Sequence, residues 1–273
     1  MIRFFGKIRR KLANENRFLQ YSRYAIGEIV LVVIGILIAL QVNNWNEERL
    51  EKKQIEKYAR SLINDLENDV EMLQVSMYQA QKIFRKIDSL RHYMAQNEPR
   101  ELSNTVLFVL SRDLLYRPYI WNRSTLDALK NSGGLRLISN DSISKKLVAY
   151  ESFSQHLDED FNGDIVNFEK ANDQMIKVLN LNSVYFKRIA QWEADTFNAP
   201  FESVFQSTPF LESRSHELPL GSNDAKDLNE FMNRLIIIQD DYRIRGFSEM
   251  PEIIDDAHEL IELLQNEYIE MTQ

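Results

Sequence analysis

One stretch constrains this chain more than any other: "YAIGEIVLVVIGILIALQVNNW", residues 24–45, directly behind a basic N-terminal arm. Residues 29–40 are uninterruptedly apolar, and residues 24–42 as a helix would extend roughly 28 Å, close to a bilayer's hydrocarbon thickness. Tyr24 and Trp45 flank the run where interfacial aromatics belong, and Glu28 falls about one turn inside its N-terminal end. A removable signal peptide needs a small-x-small cleavage site, and the exit Gln41-Val42-Asn43-Asn44 offers none. A buried core helix is the remaining alternative. The pattern therefore predicts an uncleaved single membrane span.

Charge sets the expected orientation. Residues 1–24 carry a net +6 against −8 for the whole chain, which leaves −14 on the rest. Basic flanks stay on the cytoplasmic side, so the N-terminus is expected inside and the acidic bulk outside. In a bacterium this means an inner-membrane protein with a periplasmic domain. Phe5, Ile8 and Leu12 fall at helical spacing among Lys7, Arg9, Arg10 and Lys11, which fits an amphipathic arm on anionic lipid; an unstructured topology signal fits equally. An arm of 23 residues cannot house an output domain, so any transmembrane signal would need a partner.

The opening 48 residues resemble the N-terminal signature of an uncharacterised family of single-pass membrane proteins of Bacteroidota. The shared elements are F-x-x-I-R, N-x-x-F, and Y-A-I-G-E followed by the apolar run and N-N-W-N-E. "LDALKNSGGLRLISNDSI" (Leu126–Ile143) resembles a second element of that family. The resemblance implies an inner-membrane protein with a helical extracytoplasmic domain, and brings no catalytic residues.

The remainder reads as all-α, because glycines and prolines are scarce and apolar residues recur at steps of three and four. The expected organisation is a cytoplasmic arm (1–23), a transmembrane helix (24–45), a long amphipathic helix (46–97) and a periplasmic helical domain (98–273) packing on it. The long helix carries its stripe on Ala59, Leu62, Leu66, Val70, Leu73, Met77, Ala80, Phe84 and Ile87. A helix is expected over 101–115, with Ser124 or Thr125 capping the next. Gly133-Gly134 marks a helix end and Asn140-Asp141-Ser142 a start. The chain is expected to finish as two helices, 224–245 and 249–271, joined at Gly246.

"DEDFNGDIVNFE" (Asp158–Glu169) satisfies the EF-hand loop pattern, with Asp158, Asp160, Asn162, Asp164 and Glu169 as calcium ligands around Gly163. Against it, the stripe Leu147, Tyr150, Phe153, Leu157, Phe161, Ile165, Phe168 runs straight through, favouring a continuous helix with an acidic outer face. No cofactor is expected, calcium being the one alternative. The four histidines lack zinc spacing, no nucleophile elbow occurs, and the lack of cysteine excludes thiolate chemistry. Tyr116, Tyr119 and Trp121 near Arg117 and Arg123 could line a pocket, though packing under a connector is the simpler reading. In the apolar run Gly27, Glu28, Gly35 and Ala39 lie close on the helix surface, and Gly35-x-x-x-Ala39 is a helix-packing element.

The expected role is a non-catalytic, membrane-anchored interaction or scaffold module. Its partners would be membrane lipids and either a second copy or other envelope proteins, with no nucleic acid. A ligand- or calcium-responsive periplasmic sensor is the alternative, and a metal-dependent hydrolase a distant third.

Overall fold

The structure is a computed structural model; it describes residues 18–117 and 120–269. The amphipathic arm, with Phe5, Ile8 and Leu12, lies outside the described residues, as does Tyr119. Among the described residues are eight α-helices and no strand. They are α1 (Phe18–Gln96), α2 (Asn104–Ser111), α3 (Ser124–Asn131), α4 (Asp141–Val178), α5 (Phe186–Asp195), α6 (Thr208–Ser215), α7 (Ala225–Ile244) and α8 (Met250–Tyr268). The chain divides into two compact units, Met1–Lys57 and Tyr58–Gln273.

In the first unit, α1 carries the apolar run, and from Ile26 to Trp45 every described side chain is exposed. This is the one described helix long and apolar enough to cross a membrane.

In the second unit the same helix supplies one wall of the core. Ala59, Leu62, Leu66, Val70, Leu73, Ala80, Ile83, Ile87 and Leu90 are buried at helical spacing, and α4 packs chiefly on α7 and α8. The expected stripe holds except at Met77 and Phe84, which are half-buried, with Ile83 and Leu90 taking the inner positions. The helix expected over 101–115 is shorter. Ser103 caps its start by accepting from the Val106 N–H, and after Ser111 the backbone turns extended at Arg112 and left-handed at Asp113 (φ 52°). The α3 start is held by Asn122, whose Oδ1 accepts from both the N–H and the hydroxyl of Ser124. Gly133 turns left-handed (φ 68°) after α3, and Asn140 caps α4, as the spacing predicts.

The expected break at Gly246 does not occur. Residues Arg245–Glu249 form a π-helical turn, so α7 passes into α8 without a loop. Pro251 has no N–H to donate in an α pattern, and the wider turn instead closes with Met250 N–H donating to the Arg245 carbonyl. Gly246 has a different task from the expected one. A Cβ there would come within 3.1 Å of the Gln81 backbone nitrogen and 3.2 Å of the Ala80 Cβ, and Gln81 Nε2 donates to its carbonyl at 2.9 Å. Here α1 and the π-turn touch backbone to backbone. Gly246→Leu is expected to cost about 1–3 kcal/mol by forcing them apart. Thermal unfolding followed by circular dichroism would check this, and an unchanged midpoint would mean that the contact is loose.

Candidate functional site

The EF-hand alternative is corrected by the structure. α4 is unbroken from Asp141 to Val178, so Asp158, Asp160, Asn162, Asp164 and Glu169 radiate from a helix instead of converging from a loop. A calcium loop needs the sharp turn at its glycine; Gly163 is here an ordinary helical residue. The acidic residues are not one outer face either. Asp164 is buried, because the face turned inward runs Tyr150, Ser154, Leu157, Asp164, Ala171 and Val178. Asn162 and Glu169 are exposed, and Asp158 lies 3.9 Å from Arg117 and 4.0 Å from Arg123.

What the helix does bring together is a polar cluster on the π-turn. Arg245, 5% exposed, forms an ion pair with Asp164 and stands 3.7 Å from Asp160. Burial pulls its guanidinium below the ordinary arginine range, with Asp160 and Glu249 opposing. Glu249, one turn on, is 3.6 Å from His156 Nε2, which also lies 3.5 Å from Asp160. Asp241 completes the acidic side. Burial raises its carboxyl, the Asn167 amide at 3.0 Å lowers it, and Asp160 and Asp240 raise it further. Ligand atoms of His156, Asp160 and Glu249 come within 4.8 Å of one another. Such a trio could offer a divalent cation one atom each, in competition with Arg245 for Asp160.

A second polar group lies inside the helices. Asp65 and Asp69, one turn apart on α1, are 8% and 1% exposed. Asp69 accepts from the Tyr150 hydroxyl at 3.2 Å and from the Asn122 backbone N–H at 3.4 Å, and Asp65 accepts from the Asn122 amide at 2.8 Å. The other Asp65 carboxylate oxygen is buried without a hydrogen-bond partner. Burial pushes the Asp69 carboxyl up to about 7; the Asn122 and Tyr150 hydrogen bonds oppose that shift, and Asp65 adds to it.

The aromatic connector packs in the way the simpler reading expects. Trp121 meets Tyr150 edge-to-face at 5.9 Å under the Arg123 guanidinium, and the Tyr116 backbone N–H donates to the Tyr242 hydroxyl at 2.9 Å. In α1 a Cβ built on Gly27 or Gly35 meets nothing within 4 Å apart from the adjacent turns of its own helix, and Glu28 and Ala39 are exposed. That face is open to a neighbouring helix.

Residues 28–97 match a family of unknown function, DUF6090. The match takes in the apolar run and the rest of α1 and stops before the Leu126–Ile143 element. No curated protein and no solved structure matches the chain.

Proposed function

We propose that this chain is a membrane-anchored, non-catalytic interaction module of the bacterial envelope. Its apolar segment crosses the inner membrane, with the N-terminus cytoplasmic and the helical domain in the periplasm. It acts by holding that domain at the membrane surface, where it binds a second copy or other envelope proteins. The observation that carries this reading is the exposure of the whole apolar stretch from Ile29 to Leu40, in a helix whose later residues build the domain's core. Eleven apolar side chains, with Gly35 among them, left open in water would be a severe liability, and lipid removes it. The polar groups of the domain support the binding role, since Arg245, Asp164, Asp69 and Tyr150 are spent on joining one helix to another.

The cysteine-free chain is its own background for a topology test. Lys7→Cys and Asn198→Cys should be introduced separately and exposed to a membrane-impermeant maleimide in cells with a permeabilised outer membrane. Asn198→Cys is expected to label and Lys7→Cys to label only after lysis. Equal labelling of both, or recovery of the protein in the soluble fraction, would sink the anchor. Affinity purification from native membranes is expected to retain a second copy or envelope proteins at fixed stoichiometry. A chain that purifies alone and monomeric would sink the interaction role.

A further inference from the structure

A cavity of about 360 Å³ opens between α1, the residues after α2, and α5. Its polar wall is unusual for an acidic protein. Lys86 is 2% exposed, and its ammonium donates to the Arg112 carbonyl at 2.9 Å and stands 3.7 Å from Glu193. The Arg112 guanidinium spans Glu193 at 2.7 Å and Asp113 at 2.6 Å. Lys82 joins them, its ammonium donating to the Phe197 carbonyl at 3.3 Å and lying 5.5 Å over the Phe197 ring. Three cations thus face two carboxylates, leaving one positive charge uncompensated, although residues 25–273 carry −14.

A second observation on the same wall points the same way. Gln79, two turns before Lys86 on α1, is 5% exposed, and its amide nitrogen has no hydrogen-bond partner. A buried donor left unpaired is costly and uncommon in a folded protein. It asks for an acceptor from outside the chain. Beside the charged groups the lining is apolar, with Ile83, Ala190, Ala194 and the Phe197 ring.

We infer that this cavity binds a small organic monocarboxylate bearing an apolar or aryl group, its carboxylate held by Gln79 Nε2 and the Lys86 ammonium. The charge fixes the class. A single carboxylate neutralises the surplus cation, whereas a phosphate dianion would be repelled by Glu193 and Asp113. The volume lies within the range of small-molecule pockets. Burial pulls Lys86 down to about 8, with Glu193 and Asp113 opposing and Arg112 and Lys82 adding to the fall, and a carboxylate beside it would oppose that fall as well. Such a site makes the domain responsive to a metabolite, beyond its role as an interaction module, and does not depend on that role.

Ligand-observed NMR titration of the full chain in mild detergent, against a detergent-only blank, would test this with phenylacetate as the probe. Saturable binding is expected in roughly the millimolar range for a ligand of this size. Its neutral isostere phenylacetamide, and inorganic phosphate, should each bind about tenfold more weakly or not at all, as expected when one charge-assisted hydrogen bond is lost. Lys86→Met and Gln79→Leu should each weaken phenylacetate, the first by about tenfold and the second severalfold. Glu193→Gln, which removes an opposing charge, should tighten it. Gln79→Leu deletes an unpaired donor and should fold even if Lys86→Met does not. No saturable phenylacetate binding, equal binding of phenylacetamide, preference for phosphate, or unchanged binding in Gln79→Leu would each overturn the inference.

Discussion

Arg245→Met is expected to destabilise the helical domain by about 3–5 kcal/mol, the cost typical of leaving a buried charge without its partner. Asp164 would stay buried on α4 with its cation gone, and Asp160, Glu249 and Asp241 would crowd the same space. Methionine has nearly the reach of arginine, so the loss is electrostatic more than a matter of volume. The neutralising change tells the two apart. Asp164→Leu alone should cost less than Arg245→Met, because Arg245 keeps Asp160 at 3.7 Å. The double variant Arg245→Met/Asp164→Leu should recover most of the loss. Thermal unfolding of the full chain in mild detergent measures all three. Additive effects of the two single changes would show that the pair is not coupled.

Asp69→Asn is expected to stabilise the protein at neutral pH, by on the order of 2–4 kcal/mol, and to lose that advantage as the pH falls toward 4. The sign follows from the proton. The Asp69 carboxyl titrates at about 7 in the fold against 3.8 unfolded. Between those values the native state holds a proton that the unfolded chain has released, so stability falls as pH rises through that window. Below it, both states are protonated and asparagine offers no advantage. Above about 7 the full cost of the buried carboxylate is present. Asparagine keeps an acceptor for the Asn122 N–H, and the Tyr150 hydroxyl can turn to accept from its amide. Melting temperatures of the two proteins should converge near pH 4 and diverge toward pH 7.5, windows set by the two titration points. Parallel curves would show that Asp69 is not the titrating group.

Helix content was readable because periodicity is a local property. The stripe of α1 and the caps at Gly133 and Asn140 depend only on neighbouring residues, and they stand where the spacing places them. The polar clusters depend on which helix faces which, and no spacing states that. A faint signal existed nonetheless. Asp65 and Asp69 fall in phase with Leu62, Leu66 and Leu73, and Lys86 falls in phase with Ile83, Ile87 and Leu90. A charge inside an apolar stripe is a charge that a partner must meet. The EF-hand pattern fixes residue types and not backbone, and the apolar stripe running through it favours the continuous helix that the structure shows. The same acids suit a helix, where Asp160 and Asp164 share a side one turn apart and serve Arg245. Arg245 itself could not be found that way, since its burial depends on the π-turn. Glycine and proline in "RGFSEMP" signal a junction between two helices, and spacing alone does not say that the junction is a π-turn.

That turn also records a miscount in the chain. Leu228, Leu235 and Tyr242 are buried seven residues apart, and so are Met250, Ala257 and Leu264. Between the two series the step from Tyr242 to Met250 is eight. A helix with a seven-residue rhythm has no place for the additional residue, and a wide turn is how one is absorbed without rotating the second series out of the core. The two runs behave as one rope with a single strand-length spliced in. The splice is where the molecule holds its buried arginine, so the residue that breaks the rhythm also creates the site.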